Sequence, residues 1–230
     1  MQWQAIVDFD GTISLADTTD RILARFAEPG WEAIEADWVA GRIGSRECME
    51  RQIALLHVSP DVLDTFVESF EIDWGFVAFV RTCMRHGVPV TVVSDGLDRT
   101  IRTLLRRTGL TELPVIANHI EPIGGDRWRL TSPHAARDGS CASGTCKCGV
   151  ARSLGRPATI LVGDGRSDFC IAERADLVFA KNGLVAHCVQ AGVEHHAFSQ
   201  LADAARLLEE MLTGVVPVAA SHHLKDKIDG

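Results

Sequence analysis

The chain has 230 residues, a formal net charge of −8 and an ordinary globular balance of 46% hydrophobic and 23% charged residues. The net negative charge and the lack of a Lys/Arg-rich run argue against a nucleic-acid partner. No apolar run is long enough to span a bilayer, and no basic, apolar leader precedes the first motif. We therefore expect a cytoplasmic protein without a membrane partner, whose seven cysteines are reduced thiols.

Strand and helix patterns follow one another from the first residues onward. An apolar run at residues 3–9 predicts a buried strand. Residues 17–70 carry only helical patterns, and the first of these helices begins at the capping residue Asp17. A further helix over residues 74–86 precedes a β-branched run at residues 88–96, which predicts a second buried strand.

The rest of the chain returns to alternating strands and helices. A basic amphipathic helix is predicted at residues 97–108, and a hairpin on the sheet edge at residues 114–132, broken at residues 122–125. A polar loop rich in Cys, Gly and Ser covers residues 137–146. Further strands and helices are predicted at residues 158–165, from 166, at 176–180, from 184 and at 199–211.

This alternation predicts an α/β fold, a parallel Rossmann-like sheet flanked by helices. The all-helical block interrupts the alternation and indicates an inserted small helical cap at residues 15–73. The catalytic core is then residues 1–14 and 74–212, followed by a flexible tail at 213–230. Ligands of such sheets bind beyond the carboxyl ends of the strands.

Two aspartates, Asp8 and Asp10, stand where the first predicted strand ends. Side chains two residues apart on an extended chain point the same way, so the two carboxylates converge on one site. Carboxylates this close repel each other unless a cation or a shared proton lies between them. A surface Asp-Gly turn is the alternative, and the buried strand before the pair disfavours it.

Two other strand ends bring polar groups to the same edge of the sheet. Asp164 ends one strand and Asp168 follows one helical turn later, although a helix N-terminus favours such carboxylates without any function. At the other strand end, the hydroxyl of Ser94 and the backbone N–H groups of Asp95 and Gly96 suit a phosphate.

Together with Lys147, these residues resemble the four motifs of the haloacid dehalogenase superfamily in order and spacing. The motifs are Asp8–Thr12, Ser94, Lys147 and Gly163–Asp168. The resemblance spans residues 3 to about 180, and the helical insert is similar to the small cap of the phosphoserine-phosphatase branch. It implies a magnesium-dependent phosphatase that acts on a small phosphorylated metabolite through a phospho-aspartate.

The resemblance also implies roles for the motif residues. Asp8 would be the nucleophile, and Asp10 the general acid that later becomes a base. Mg²⁺ would be held by Asp8, by the Asp10 carbonyl and by Asp164, with Asp168 supporting the metal or orienting Lys147. The transferred phosphoryl group would be neutralised by Ser94 and Lys147. Further phosphate contacts are expected at Gly11, Thr12, Asp95 and Gly96.

The cysteine loop allows two other interpretations. Cys146 and Arg152 form a C-x5-R pattern that resembles cysteine-dependent phosphatases, but no strand precedes it. A zinc site would use His134 together with the loop thiols, although their spacing is unusual for zinc: Cys141, Cys146 and Cys148. The third interpretation is a structural loop of reduced thiols that presents Lys147.

Three substrate classes are open within the family. Residues 26–31, the cysteine loop and residues 175–180 resemble the 2-hydroxy-3-keto-5-methylthiopentenyl-1-phosphate phosphatases of methionine salvage. The chain departs from those phosphatases in two features. Its loop has fewer cysteines, and residues 94–96 are Ser-Asp-Gly where Ser-Gly-Gly is usual. Ser-Asp, the C-x4-C-K spacing and the GDGxxDFC segment resemble phosphoethanolamine/phosphocholine phosphatases instead.

Phosphoserine phosphatase is the third class, and the cap argues against it. Asp17 stands at the place of that family's cap glutamate, and Gln52, beside Arg51, at the place of its carboxylate-binding arginine. We name Asp17, Trp31, Arg51 and Gln52 as cap residues for the substrate, and expect a less polar phosphomonoester. A catalytically silent member would lack Asp8, Asp10 or Lys147, and none is missing.

Overall fold

The structure of the chain is a computed structural model that describes residues 2–155 and 158–215. The described strands are β1 (Trp3–Val7), β2 (Val90–Leu97), β3 (Val115–Gly124), β4 (Arg127–Thr131), β5 (Ala158–Gly163), β6 (Leu177–Ala180) and β7 (His196–Ala197). Of the tail predicted at 213–230, residues 216–230 lie outside the described part of the chain.

The helices of the described residues fall where the helical patterns lie. Four helices follow β1 and form the insert: α1 (Thr18–Phe26), α2 (Trp31–Val39), α3 (Ser45–Ile53) and α4 (Pro60–Glu68). The others are α5 (Gly75–Arg85), α6 (Asp98–Thr108), α7 (Lys147–Ser153), α8 (Phe169–Ala172), α9 (Asn182–Ala191) and α10 (Leu201–Leu212). A short 3-10 helix, Arg166–Asp168, leads into α8. None of these helices has the length and apolar character needed to cross a bilayer.

The strands form one seven-stranded sheet in the order β4-β3-β2-β1-β5-β6-β7. All neighbouring strands are parallel except β4, which pairs antiparallel with β3 as the predicted edge hairpin. The central strands are apolar and buried, as a sheet covered on both faces requires. The predicted fold class, a parallel Rossmann-like sheet flanked by helices, is confirmed.

The hairpin turn lies within the break predicted at residues 122–125. It falls at the end of that segment, at Gly125, while Pro122 still pairs with Trp128 within the β3–β4 ladder. This part of β3 extends beyond its last pairing with β2 at Asn118. A proline is accepted there because no third strand needs its missing N–H.

The helices α1 to α4 lie between β1 and α5 in the chain, and the two chain segments that bound them meet. Ser14 and Ile72 form an isolated antiparallel bridge, and the Asp73 N–H donates to the Ile13 carbonyl at 2.7 Å. The chain therefore leaves the sheet region and returns to it at one place, close to the carboxyl end of β1.

Candidate active site

A cavity of about 390 Å³ opens at the carboxyl ends of the central strands. Its sheet side is lined by residues that follow β1, β2 and β5: Asp8, Asp10, Gly11, Ser94, Gly96 and Asp164. Its other side is lined from the helical insert, by residues including Leu15, Asp17, Glu35, Trp38, Met49 and Gln52. The three strand ends singled out in the sequence therefore meet in one site, because the carboxyl ends of parallel strands share one edge.

Lys147 connects three of the motifs beneath this cavity. Its Nζ lies 2.7 Å from Asp8 Oδ1 and 2.6 Å from Asp168 Oδ1, and it donates to Ser167 Oγ at 3.0 Å. Lys147 is only 1% exposed. All three ammonium protons therefore have an acceptor, as a buried charge requires.

The aspartate carboxylates around Lys147 outnumber its single ammonium group. Burial raises the pKa of Asp8 well above its ordinary value, the charge of Asp168 raises it further, and Lys147 opposes the rise. Burial also raises the pKa of Asp164. For Lys147, burial alone would lower the pKa, but the charges of Asp168 and Asp8 raise it well above the usual range. The site thus has an excess of negative charge that a cation would balance.

Carboxylate oxygens of three aspartates are arranged so that they could hold such a cation. Ligand atoms of Asp8, Asp164 and Asp168 lie within 4.8 Å of one another, and among the described residues no other group of three His, Cys, Asp or Glu does so. Asp168 already uses Oδ1 for Lys147 and Oδ2 for the backbone N–H groups of Asp164 and Gly165. Asp8 and Asp164 are therefore the better available ligands, and hard oxygen ligands suit a divalent cation.

Gly11 lets Asp164 approach the first motif. A Cβ atom at Gly11 would lie 2.2 Å from Asp164 Oδ2, and the backbone there has a φ of +71°. Both the close approach and the left-handed conformation require glycine. The Asp-Gly pair is thus part of the site, and the alternative of a plain surface turn is wrong.

Asp10 is held by the first helix of the insert. Its Oδ1 accepts hydrogen bonds from the Thr18 N–H at 2.8 Å and the Thr18 hydroxyl at 2.6 Å. Burial, together with the charge of Asp17, raises the pKa of Asp10 to about 7, although the Thr18 bonds oppose the rise. A carboxyl group of this kind exchanges a proton near neutral pH. The sequence showed Thr18 only as part of a helix cap.

Ser94, Asp95 and Gly96 all line the cavity, and the side chain of Asp95 is engaged within the protein. Asp95 Oδ1 accepts from the Thr145 N–H at 2.8 Å and from Asn118 Nδ2 at 3.1 Å. Its Oδ2 accepts from the Ser45 hydroxyl. The Asp95 side chain therefore ties β2 to the insert and to the loop before Lys147, and the contact of its backbone N–H with phosphate stays a prediction.

Three predicted residues lie away from the cavity lining. Thr12 is fully buried, and its N–H donates to the Phe9 carbonyl. Trp31 packs against the main hydrophobic core. Arg51 is exposed and pairs with Glu47 one helical turn before it. Thr12, Trp31 and Arg51 are thus not among the residues that line the cavity, and their contacts with phosphate or substrate stay predictions.

Gln52 and Asp17 do line the cavity, but Gln52 has a structural partner. Its Nε2 donates to Glu35 Oε2 at 3.0 Å and more weakly to the Trp31 carbonyl at 3.5 Å. The Cys48 thiol also contacts Glu35 Oε2, at 3.6 Å. Gln52 thus fixes a carboxylate on the cavity wall, where the phosphoserine-phosphatase resemblance would have an arginine.

Two further site residues were missed in the sequence. Asn182 Nδ2 donates to Asp164 Oδ2 at 3.2 Å, and its φ of 49° is unusual for a residue other than glycine. An Asn-Gly pair one residue beyond the end of β6 was the available signal. Arg166 donates to the carbonyls of Trp38 and Val39 and lies over the Trp38 ring, which joins the fourth motif to the insert.

The cysteine loop presents Lys147 by capping its helix. Cys146 is buried, and its Sγ accepts from the Gly149 N–H at 3.3 Å at the start of α7. Burial raises the pKa of the Cys146 thiol, so a nucleophilic thiolate is disfavoured there. The C-x5-R pattern therefore does not describe a cysteine-phosphatase site.

The chain is similar to known proteins over most of its length. A family model described as haloacid dehalogenase-like hydrolase matches residues 5–173. A 2-hydroxy-3-keto-5-methylthiopentenyl-1-phosphate phosphatase of Geobacillus kaustophilus is 34% identical over 210 residues, which are 89% of this chain and 94% of that protein. A protein of the same name from Brevibacillus brevis is 31% identical over 216 residues, 91% and 96% of the two chains.

Solved structures show the same fold at lower identity. A substrate-bound phosphoserine phosphatase complex has a TM-score of 0.65 at 18% identity, over 93% of this chain and 99% of the other. A haloacid dehalogenase family hydrolase from Salmonella enterica serovar Typhi has a TM-score of 0.70 at 20% identity, over 90% and 71%. Relatives named as phosphatases confirm the predicted enzyme class. The chain belongs to the haloacid dehalogenase-like hydrolase family.

Proposed function

We propose that the chain hydrolyses 2-hydroxy-3-keto-5-methylthiopentenyl-1-phosphate, a small phosphomonoester, in two displacements at Asp8. The observation that carries this proposal is the buried 2.7 Å contact between Lys147 Nζ and Asp8 Oδ1 at the bottom of a cavity that Asp10 also lines. This contact leaves Asp8 Oδ2 as the attacking oxygen. A nucleophilic carboxylate divides hydrolysis into two easier steps.

In the first step Asp8 Oδ2 attacks phosphorus and the ester P–O bond breaks, while Asp10 gives a proton to the leaving oxygen. Because Thr18 holds Asp10 Oδ1, we assign that proton to Oδ2. In the second step the Asp10 carboxylate takes a proton from water, whose oxygen attacks phosphorus. The bond from Asp8 to phosphorus then breaks, and inorganic phosphate leaves.

Charge on the transferring phosphoryl group is neutralised by groups that already surround Asp8. Lys147 is fixed by Asp168 and Ser167, and the Ser94 hydroxyl faces the cavity. Asp8 and Asp164, with the Asp10 carbonyl, would hold Mg²⁺, which supplies the remaining positive charge when bound. Preorganised charge of this kind is the main requirement for phosphoryl transfer.

Substrate choice rests with the insert, which we assign as a cap over residues 15–73. Its cavity wall offers Leu15, Trp38 and Met49 to an apolar group such as methylthio. The carboxylates of Asp17, Asp20 and Glu35 face the same cavity. The one arginine of the described lining, Arg166, is engaged with the Trp38 and Val39 carbonyls. A substrate carboxylate would therefore meet repulsion, which disfavours phosphoserine.

The same acidic wall supports phosphoethanolamine as a second candidate substrate. An ammonium group would be attracted by the carboxylates of Asp17, Asp20 and Glu35. Its reaction at Asp8 would be the same. Only the leaving group differs, so the two candidates are separated by kinetics.

Measured kcat/KM values for three phosphomonoesters test the assignment. We expect the methylthiopentenyl phosphate to exceed phosphoserine by about a hundredfold, because phosphoserine lacks a charge-assisted partner worth about 2–3 kcal/mol. The Asp8→Asn variant is the matched control, and it should keep less than about a hundredth of the wild-type rate. An equal or higher value for phosphoserine would contradict the cap assignment, and a higher value for phosphoethanolamine would transfer the assignment to that substrate.

A further inference from the structure

Two cysteine thiols lie next to the residues that surround Asp8, and the proposed reaction uses neither of them. Cys148 follows Lys147 directly in α7, and Cys170 follows Asp168 by two residues in α8. Their Sγ atoms are 3.3 Å apart and hydrogen-bonded, although the residues are 22 positions apart in sequence. Both are free thiols.

The geometry of this pair suits a reversible bond. A disulfide needs Sγ atoms about 2.05 Å apart, so the two sulfurs need to move only a little more than an ångström closer. Cys170 is exposed, which gives small reagents access to the pair, whereas Cys148 is buried beside it. Cys146 and Cys141 in the preceding loop are also hydrogen-bonded to each other, and both interact electrostatically with Cys148.

The groups around Cys148 and Cys170 favour the thiolate form of Cys148. The pKa of the Cys148 thiol is lowered, first by its hydrogen bond with Cys170 and also by the charge of Arg174, while burial opposes the shift. An anionic sulfur in contact with a protonated thiol is the arrangement from which a disulfide forms.

We propose that Cys148 and Cys170 are an oxidation site, at which a peroxide converts the two thiols into a disulfide that slows the enzyme reversibly. The inference rests on the proposed function only for its activity readout. The bond itself would join α7, which begins at Lys147, to α8, which follows Asp168.

The reaction balances with one peroxide molecule. The Cys148 thiolate attacks a peroxide oxygen, the O–O bond breaks, and the departing hydroxide takes a proton to leave as water. Cys148 is then a sulfenic acid. The Cys170 sulfur attacks that sulfur, the S–O bond breaks, and the hydroxide leaves as water with the Cys170 proton. Two thiols have lost two electrons, and the peroxide has become two waters.

The effect on catalysis follows from the position of Lys147. Its Nζ makes contacts of 2.7 Å to Asp8 and 2.6 Å to Asp168, and such contacts lose strength within a few tenths of an ångström. Pulling Cys148 and Cys170 together moves the two segments that set those distances. The oxidised enzyme therefore holds Lys147 less well against Asp8, and turnover falls.

The test treats the full-length protein with hydrogen peroxide and follows both the bond and the activity. We expect peptide mapping by mass spectrometry to find a Cys148–Cys170 disulfide, and kcat for p-nitrophenyl phosphate to fall at least about tenfold. Dithiothreitol should restore the activity. The artificial substrate keeps this test independent of the natural substrate, and the mapping needs no substrate at all.

Matched variants distinguish oxidation of Cys148 and Cys170 from oxidation of the other thiols. Cys148→Ser should be insensitive to the same treatment, whereas Cys141→Ser should respond as the wild type does. Cys170→Ser should form no disulfide, and a sulfenic-acid reagent should then label Cys148. A disulfide mapped to Cys141–Cys146, or a mapped Cys148–Cys170 bond with unchanged kcat, would overturn the proposal, as would equal reversible losses in wild type and Cys170→Ser.

Discussion

Lys147 shows at the residue scale how one side chain serves structure and chemistry together. It is buried with two aspartates, and removal of a single partner from such a cluster leaves an uncompensated charge. The lysine is presented by a helix of seven residues that begins at Lys147 itself and is capped by Cys146. The neighbouring residues Cys146 and Lys147 therefore have different functions that substitution can separate.

Lys147→Ala should lower kcat by roughly a hundredfold to a thousandfold, because the phosphoryl group loses a preorganised cation. Cys146→Ser should keep most of the activity, since serine is a good N-cap and can accept from the Gly149 N–H. Steady-state kinetics rank the two variants, and urea unfolding separates loss of fold from loss of catalysis. The reverse ranking would restore the cysteine-phosphatase interpretation of the C-x5-R pattern.

The aspartates around Asp8 lead to a second prediction at the residue scale. Treatment with a chelator should abolish turnover and added Mg²⁺ should restore it, because Asp8 and Asp164 carry charge that Lys147 alone does not balance. Ca²⁺ should support little turnover, since its higher and more flexible coordination disturbs the in-line arrangement. Phosphate release measures all three conditions, and full activity in the chelated protein would show that no metal is needed.

At the scale of elements, Asp73 joins two helices that lie far apart in the chain. Its Oδ1 accepts from the Gly75 N–H at 2.8 Å, at the start of α5, and its Oδ2 accepts from the Leu201 N–H at 2.7 Å, at the start of α10. A carboxylate stabilises both helix N-termini by satisfying backbone donors and by opposing the helix dipoles. Gly75 has no room for a Cβ, which would lie 2.3 Å from the Ala202 nitrogen.

Asp73→Ala should reduce the free energy of unfolding by about 3 kcal/mol, because two hydrogen bonds to a charged, nearly buried acceptor are lost. Asp203→Ala is the matched control, since Asp203 lies exposed in the first turn of α10 and should contribute less than about 1 kcal/mol. Chemical denaturation gives both values. A loss below 1 kcal/mol for Asp73→Ala would mean that the two caps contribute little.

At the scale of the whole molecule, the insert and the sheet meet around one cavity. Arg166 donates to the last carbonyls of α2, Ser45 at the start of α3 donates to Asp95, and Thr18 at the start of α1 donates to Asp10. Helix ends of the insert thus contact each of three strand-end motifs. In the function that we propose, residues of the insert would determine which substrate binds, and residues at the strand ends would carry out the reaction.

The Glu35→Gln variant tests whether the insert determines substrate selectivity. Loss of the charge should raise kcat/KM for phosphoserine about fivefold, the effect of roughly 1 kcal/mol of repulsion across a partly hydrated cavity. The value for the methylthiopentenyl phosphate should change little, because that substrate offers no carboxylate. Glu32→Gln on the exposed side of α2 is the control and should change neither. Equal changes for both substrates would show that Glu35 acts on the fold rather than on selectivity.

The sequence by itself determined the sheet, the position of the insert and the residues that meet around Asp8. These conclusions rest on local patterns: an apolar run predicts a buried strand, and motifs at the carboxyl ends of parallel strands share an edge. Asp8, Asp10, Ser94 and Asp164 could be placed together for that reason. This placement required no knowledge of the distances between residues that are far apart in the sequence.

Only the tertiary structure decided which residues of the insert face the cavity. Trp31 and Trp38 lie seven residues apart on α2, yet Trp31 packs into the core while Trp38 lines the cavity. Gln52 binds Glu35 on a neighbouring helix, and Cys148 meets Cys170. Helical periodicity gives the relative direction of side chains on one helix, but their partners depend on how separate elements pack, which local sequence does not encode.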